Sequence, residues 1–488
     1  MTLSRALSSA YSGLTASAFR ADVSAGNISN AGTAGYVRRT ANLSESIVGG
    51  QGNGVSISGV NRQQDYQLTR LRRDADSASG RTDIIAQAYN DLNREMGAPG
   101  DEYGLFASYE SFESSLRELS LTPESTALQN SVLSAATSLV NQFNDLSQMG
   151  NSLRTNADAG IARGVEIVND ALYQIQKLNG DISGMNQEAG DTAALEDERQ
   201  RLLDTIAQYI PIKDFPREGG RIDVMTENGV FLLAGSVNEL EFTPSGAIPA
   251  GASYADGIGG LSGLMVGDQE LTTGAGNFGI NSGVIAGYFS VRDSIAPEFM
   301  GQVDGLAADL ISRFSDDALD PTKTAGAPGI FTNAGGPVDA ANLPGTAARL
   351  RINATIDPAQ GGEITRLRDG LGAMTPGASG NADILNNLLD AFTSANSAPG
   401  TSGLVGNFTS TELAAGVSSL VGENRVRADA TAASSTSRSV TLYEAEIAKT
   451  AVDTDQELQS LLLIEQSYAA NARVIQTVSD MLDRLMQI

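Results

Sequence analysis

The chain has 488 residues, with 58 acidic against 32 basic side chains, a formal net charge of −26, and no cysteine, histidine or tryptophan. So acidic a surface repels phosphate backbones and anionic lipid, which excludes nucleic acid and membrane surfaces as expected partners. Without histidine or thiol there is no Ser-His-Asp triad, imidazole base or ordinary zinc site, so we expect no catalytic residue, cofactor or metal.

The first 30 residues predict one helix, whose small and apolar residues alternate four and three apart as in a coiled-coil seam. The seam consists of Leu3, Leu7, Ala10, Leu14, Ser17, Ala21, Ser24 and Ile28. It ends in a segment rich in Asn and Gly, which tolerate positive φ and therefore predict a helix stop and a specifically shaped loop. The candidate residues of this loop are Asn27, Asn30, Thr33, Gly35 and Tyr36. Residues 50–60 then alternate as a strand.

The middle of the chain changes character several times. Residues 65–96 have helical periodicity, and residues 105–210 predict several long antiparallel helices with a stop or turn at Asn179-Gly180. From residue 211 the pattern favours strands, with a hairpin around Asn228-Gly229. Residues 284–315 are helical, and residues 320–410 are irregular except for a strand at 350–352 and a helix near 382–395. The chain is helical again from about residue 409.

The C-terminal segment carries a second seam with strict three–four spacing. Its members are Leu461, Ile464, Tyr468, Asn471, Ile475, Val478, Leu482 and Leu485. A lone Asn in an apolar seam commonly fixes the register of the pairing. Residues 1–44 hold four arginines against one aspartate, whereas the tail from residue 450 holds six acids against two arginines. We therefore expect the two ends to pair with each other, or with copies of each other in an assembly.

Two acidic motifs could suggest chemistry. The segment from Leu195 to Arg199 could form a carboxylate–arginine active site, but we favour a solvated helix face or a cap on a neighbouring helix. The segment from Asp316 to Asp320 lacks the alternating acids and glycine of a calcium loop, so we expect a turn at a helix end there. The sequence does not exclude a weakly bound cation at that turn.

Both ends of the chain resemble signatures of one family, the flagellar rod, hook and hook-associated axial proteins. The N-terminal resemblance lies in Ala25-Gly26-Asn27-Ile28-Ser29-Asn30 followed by Thr33-Ala34-Gly35-Tyr36, where Gly26, Ser29 and Gly32 depart from the usual pattern. The C-terminal resemblance covers residues 465–475, and residues 453–458 fit the segment before it. Within the family, residues 35–39, 54–62, 195–199 and 224–233 are similar to the members found at the hook–filament junction.

The resemblance implies a structural subunit rather than an enzyme. Such a subunit would be exported through the flagellar type III apparatus without a cleaved signal peptide. It would then polymerise through its terminal helices into an adaptor ring between hook and filament, outside the cell. The implied partners are further copies of the chain, the hook subunit, the second hook-associated junction protein, and an export chaperone at the C-terminal helix. Another axial protein (the hook subunit or second junction protein), or a secreted adhesin or hydrolase using the middle of the chain, remains the alternative.

The expected fold class is α+β and multidomain, with the chain folded back so that its two termini pair. Residues 1–40 with 450–488 would form a terminal coiled-coil domain. Residues 41–210 with 284–319 and 409–449 would form a mainly helical domain. Residues 211–283 with 320–408 would form an inserted domain, mainly β or irregular.

Overall fold

The computed structural model describes residues 3–33, 35–48, 51–187 and 191–486. Helices provide most of the structure: α1 Leu3–Ser29, α2 Tyr66–Met96, α3 Leu105–Leu121, α4 Thr126–Gln187, α5 Ala193–Tyr209, α6 Val284–Ser290, α7 Ala296–Ser315, α8 Thr346–Arg349, α9 Arg366–Asp369, α10 Asp383–Thr393, α11 Ser410–Thr450 and α12 Thr454–Met486. Apart from β1 and β2, which have 10 and 12 residues, the strands are short: β1 Arg39–Val48, β2 Gln51–Arg62, β3 Ile212–Pro216, β4 Ile222–Thr226, β5 Phe231–Ala234, β6 Ser236–Val237, β7 Met265–Val266, β8 Gln269–Glu270, β9 Phe331–Asn333, β10 Leu350–Ile352, β11 Asn396–Ser397 and β12 Asn407–Phe408. The expected α+β class is confirmed at this level.

The two ends of the chain lie together. Helix α1 packs along α12, and the antiparallel hairpin of β1 and β2 packs on α1. The alternating segment near residues 50–60 is indeed a strand, β2, and the sequence analysis missed its partner β1. Glu45 interrupts the alternation of Ala41, Leu43 and Ile47 in β1, so its pattern gives a weaker strand signal.

A long antiparallel helix pair, α2 with α11, connects the ends to the rest of the molecule. Asp65 caps α2 by accepting a hydrogen bond from the backbone N–H of Leu68, at 3.1 Å. Thr409 and Glu412 form a reciprocal capping box at the start of α11. These caps place both helix starts where the sequence analysis expected them.

Helix α4 runs without interruption for 62 residues. The predicted stop at Asn179-Gly180 is therefore wrong. A glycine inside a helix lowers the stability of the helix by only about 1 kcal/mol relative to alanine. The side chain of Asn179, next to Gly180, also forms hydrogen bonds with a neighbouring strand. The Asn179 side chain donates to the carbonyl of Ile222 at 2.8 Å and accepts from the N–H of the same residue at 3.2 Å. Asn179 therefore ties the helix to β4 instead of ending it.

Two hydrophobic clusters flank different parts of α4. The larger cluster joins α3, α7, the start of α11 and the segment from Ile330 to Phe392, with Phe112, Phe314, Phe331 and Phe392 in mutual ring contact. The second joins α5, α6 and residues 210–280, including the antiparallel sheet in the order β3-β4-β5-β6. The predicted hairpin at Asn228-Gly229 is confirmed as β4 and β5. The segments 211–283 and 320–408, grouped together by sequence, thus contribute to different clusters.

The helix predicted over residues 284–315 is formed by α6, a π-helical turn at Val291–Ile295 and α7. The turn contains Arg292, whose buried guanidinium contacts the carboxylates of Asp158 and Asp293 at 2.8 Å each. These ion pairs join α4 to the irregular helix. Among the described residues, no helix is both long enough and apolar enough to cross a membrane.

Candidate assembly interface

Polar contacts fix the direction of the α1–α12 pair. The hydroxyl of Ser24 donates to the carboxylate of Glu457 at 2.6 Å. Gly13 lies eleven residues before Ser24 on α1, and it contacts the side chain of Asn471, which lies fourteen residues after Glu457 on α12. The two helices are therefore antiparallel, and the ends of the chain pair within one molecule.

The predicted seams hold some of the buried positions of this pair, while the buried residues Ala16, Asn27 and Glu457 lie outside them. On α1 the buried seam members are small, namely Ala10, Ser17 and Ser24, while Leu3, Leu14 and Ile28 are half-buried and Leu7 is exposed. On α12, Ile464 and Val478 are buried, and Leu461, Asn471 and Ile475 are half-buried. Tyr468, Leu482 and Leu485 are exposed. Whether these residues form the assembly interface remains a prediction.

Gly13 explains the polar member of the C-terminal seam. A Cβ atom on Gly13 would lie 2.8 Å from Nδ2 of Asn471, closer than side chains approach one another. The absence of a side chain on α1 therefore makes the space that the amide of Asn471 occupies. The spacing singled out Asn471, but the matching glycine lies outside the predicted seam, and the sequence carried no signal for this contact.

Asn27 organises the loop that follows α1. Its side chain is 1% exposed, donates to the carbonyl of Arg39 at 2.8 Å and accepts from the N–H of Arg39 at 3.0 Å. The hydroxyl of Tyr36 donates to the same amide oxygen at 3.0 Å. The guanidinium of Arg39 lies over the ring of Tyr36, 4.7 Å from its centre. One asparagine thus links the end of the helix to the beginning of the hairpin.

The other candidate residues of the loop contribute local turns. Asn30 donates to the carbonyl of Gly26 at 2.9 Å, and the hydroxyl of Thr33 donates to Asn30 at 3.3 Å. Gly35 has φ of 76°, which an L side chain rarely adopts. Ala34, part of the same motif, lies outside the described residues. The structure therefore places Asn30, Thr33, Gly35 and Tyr36 in the loop after α1, and Asn27 in the last turn of the helix itself.

Glu457 is the charged centre of the pair, and its side chain is buried. Burial alone would raise the pKa of its carboxyl, but hydrogen bonds from Ser24, Arg38 and Asn27 outweigh that effect and lower the pKa. The Nε–H of Arg38 donates to Glu457 at 2.6 Å, and the backbone N–H of Arg38 donates to the carbonyl of Thr450. Glu457 therefore stays ionised and holds the hairpin, α1 and the start of α12 together.

Asp197 has a different setting from the one predicted. It is buried, and its carboxylate accepts hydrogen bonds from Nη2 of Arg39 at 2.8 Å and from Nε of Arg62 at 2.9 Å. Arg199 donates to Asn179 and to the carbonyl of Gly220. The expectation of a solvated face is wrong for Asp197, because α5 packs against the hairpin that brings both arginines. The motif ties the terminal hairpin to the middle of the molecule.

The acidic segment after α7 forms a turn, as predicted. Lys323 contacts the carboxylate of Asp317, and Asp320 accepts from the backbone N–H groups of Thr322 at 2.9 Å and Leu371 at 2.7 Å. Across the described ranges, no group of three or more acids is arranged to hold a metal ion. These carboxylates bind the protein's own donors.

Two family models match the chain. The helical domain of the flagellar hook-associated protein FlgK matches residues 89–329, and the C-terminal part of the flagellar basal body rod FlgEFG proteins matches residues 447–488. The second match covers α12 and the end of α11. The α1–α12 pair therefore includes a segment that is similar to the C-terminal part of flagellar rod proteins.

Curated relatives carry the name flagellar hook-associated protein 1. That of Escherichia coli (strain K12) is 27% identical over 283 residues, 56% of this chain and 51% of the relative. That of Salmonella typhimurium is 28% identical and aligns with 50% of its own length. The Bacillus subtilis (strain 168) relative is 23% identical over 98% of this chain and 97% of its own length. The chain thus spans about half the length of the first two relatives and nearly all of the third. The solved hook junction protein FlgK from Burkholderia pseudomallei has 16% identity and a TM-score of 0.42, covering 55% of this chain and 46% of that one.

Proposed function

We propose that the chain belongs to the family of flagellar hook-associated protein 1 and is a structural subunit of the bacterial flagellum that joins the hook to the filament. The observation that carries the proposal is the antiparallel pairing of the two chain ends, in which Ser24 and Arg38 both donate to Glu457. In such a pair the two ends of one molecule form a single helical segment that can pack with neighbouring copies, while the middle of the chain folds separately around its own hydrophobic clusters. We expect this organisation of an axial subunit.

We infer that copies assemble into a ring through the terminal helices, the predicted coiled-coil domain. Apolar side chains left exposed on α12 support this, since Leu462, Leu463 and Leu485 are each more than half exposed. The partners on either side of the ring would be the hook subunit and the second hook-associated junction protein. Before assembly, an export chaperone would cover the same exposed face of the C-terminal helix.

The chain would reach its site outside the cell through the flagellar type III apparatus, without a cleaved signal peptide. Its acidic outer layers would keep exported subunits apart until the terminal helices meet their partners. We propose a mechanical role without catalysis. The buried acids support this role, because Asp197 and Glu457 are occupied with arginines that hold elements together.

The decisive experiment is deletion of the gene. The deletion strain should keep its hooks, lose its filaments and shed filament subunits into the medium, and the intact gene should restore filaments. Normal filaments in the deletion strain would contradict the proposal. Incubating the purified chain with polysaccharides and peptidoglycan provides the catalytic control, and turnover of either substrate would contradict the non-catalytic role.

A further inference from the structure

Helix α12 carries a second stripe that lies open to solvent in the described part of the chain. Its residues follow the same alternating spacing of four and three, and all are exposed: Leu463, Ser467, Ala470, Val474, Thr477 and Met481. We call this set the outer stripe. Each of its residues directly precedes a seam residue, and one residue turns an α-helix by ~100°. The outer stripe therefore lies on the flank of α12, to one side of the seam that meets α1.

A groove lies on another face of the same pair. It has a volume of about 620 Å³ and runs between α1 and α12. Its α1 wall consists of small residues, including Ala18 and Ala21, and its α12 wall includes Leu458 and Leu462, which are 53% and 60% exposed. We call it the terminal groove. Small residues opposite large apolar ones leave room for side chains from a third helix.

The charges bordering the two surfaces are opposite. Asp22 and Glu465 line the terminal groove. Beside the outer stripe, Arg473 precedes Val474, Asp480 precedes Met481, and Arg484 lies three residues after Met481. Asp483 lies two residues after Met481, ~200° around the helix, so it points away from the stripe and one positive charge remains in excess there. Among the described residues, neither the two acids of the groove nor the two arginines of the stripe have a salt-bridge partner. The free charges therefore match across the two surfaces.

We propose that the outer stripe of one copy packs in the terminal groove of a second copy, with Arg473 or Arg484 facing Asp22 or Glu465. This inference rests on the proposed function and names the surfaces through which the copies would meet. The two surfaces lie on different faces of one helix pair, so each copy offers both. Such a contact is heterologous, joins copies head to tail, and closes into a ring when the rotation allows it.

The absence of cysteine from the sequence makes the contact directly testable. The variant Ala18→Cys places one thiol in the groove, and Leu463→Cys, Val474→Cys or Met481→Cys places another on the stripe. Each stripe variant is combined with Ala18→Cys in one chain. Hook–filament particles are isolated from cells producing each double variant and treated with a short bismaleimide. Three stripe positions are used because the register along the helices is not fixed by the charges.

At least one double variant should give a ladder of dimers, trimers and larger products, while every single variant should stay monomeric. Absence of a ladder from all three double variants, in particles that contain the chain, would overturn the proposal. Dimers formed by Val474→Cys alone would also overturn it, because they would place stripe against stripe. If even the unmodified chain is missing from the particles, the proposed function itself is wrong, so the two failures are distinguishable.

Discussion

At the scale of single residues, Asn27 takes the place of a strand neighbour. Its amide exchanges two hydrogen bonds with the main chain of Arg39, as a paired strand residue would, and a third comes from Tyr36. Because Asn27 is buried, water has little access to replace any of these partners. The presence of an asparagine at position 27 is thus explained by its hydrogen bonds to the main chain of Arg39, which the sequence pattern does not reveal.

Replacing Asn27 by alanine should loosen the junction between α1 and the hairpin. The change leaves the N–H and carbonyl of Arg39 without their partner, which we expect to cost about 2 kcal/mol. Hydrogen exchange at the Arg39 amide, compared with that of α4, measures the effect locally. Asn30→Ala is the matched control, since Asn30 bonds mainly within its own turn. Equal protection of Arg39 in the Asn27 variant and the unmodified chain would contradict this role.

Gly13 tests whether close approach of the terminal helices depends on a missing side chain. Gly13→Ala should push the helices apart at Asn471 and cost about 1–3 kcal/mol, as overpacking does. Adding Asn471→Ser should recover much of the loss, because the amide that clashes is removed. Hydrogen exchange along α1 and α12 measures both variants. Gly26→Ala is the control, because a Cβ there meets nothing within 4 Å. Independent effects of the two substitutions would contradict direct contact.

At the scale of elements, periodicity predicted the helices that carry continuous apolar patterns. The starts of α2 and α11 were predictable because a cap and a periodic run coincide at each. The continuity of α4 through Gly180 could not be predicted. The hydrogen bonds of Asn179 that stabilise the helix there are made with Ile222 of β4, 43 residues away in sequence. Asp197 was misjudged for the same reason, since its arginines are distant in sequence. Long-range partners leave no local signal.

Glu457 makes the pairing of α1 and α12 sensitive to acid. Burial alone would raise the pKa of this carboxyl, but its hydrogen bonds lower the pKa below its ordinary value of 4.5. A lowered folded pKa means that the stabilisation is fully present above the unfolded pKa and is lost as the pH falls through the folded pKa. Hydrogen exchange of α12 at decreasing pH should show the pair opening in that range. Glu457→Gln should weaken the pair at neutral pH and flatten this dependence, and an unchanged profile in the variant would contradict the assignment.

At the scale of the whole molecule, the terminal pair and the middle differ in how much they bury. The middle has two clusters rich in large apolar side chains. Within Thr454–Met486, all of it described, the buried residues are Glu457, Ile464 and Val478. On α1 the buried residues are alanine, serine and asparagine. Since hydrophobic stabilisation scales with the apolar area removed from water, the ends contribute less to the stability of a single molecule than the middle does.

This difference predicts the order in which an isolated molecule opens. Regions with few buried apolar contacts unfold locally at lower free energy, so a protease should trim both ends first. We expect a resistant core that starts near residue 40 and ends near residue 450, identified by mass spectrometry of the digest. Leu482→Asp, at an exposed position of α12, should leave the melting transition nearly unchanged and abolish incorporation into flagella. Ile464→Asp is the buried counterpart and should also accelerate trimming. Ends as resistant as the middle in the unassembled chain would show that pairing alone stabilises them, and that assembly is not needed for their order.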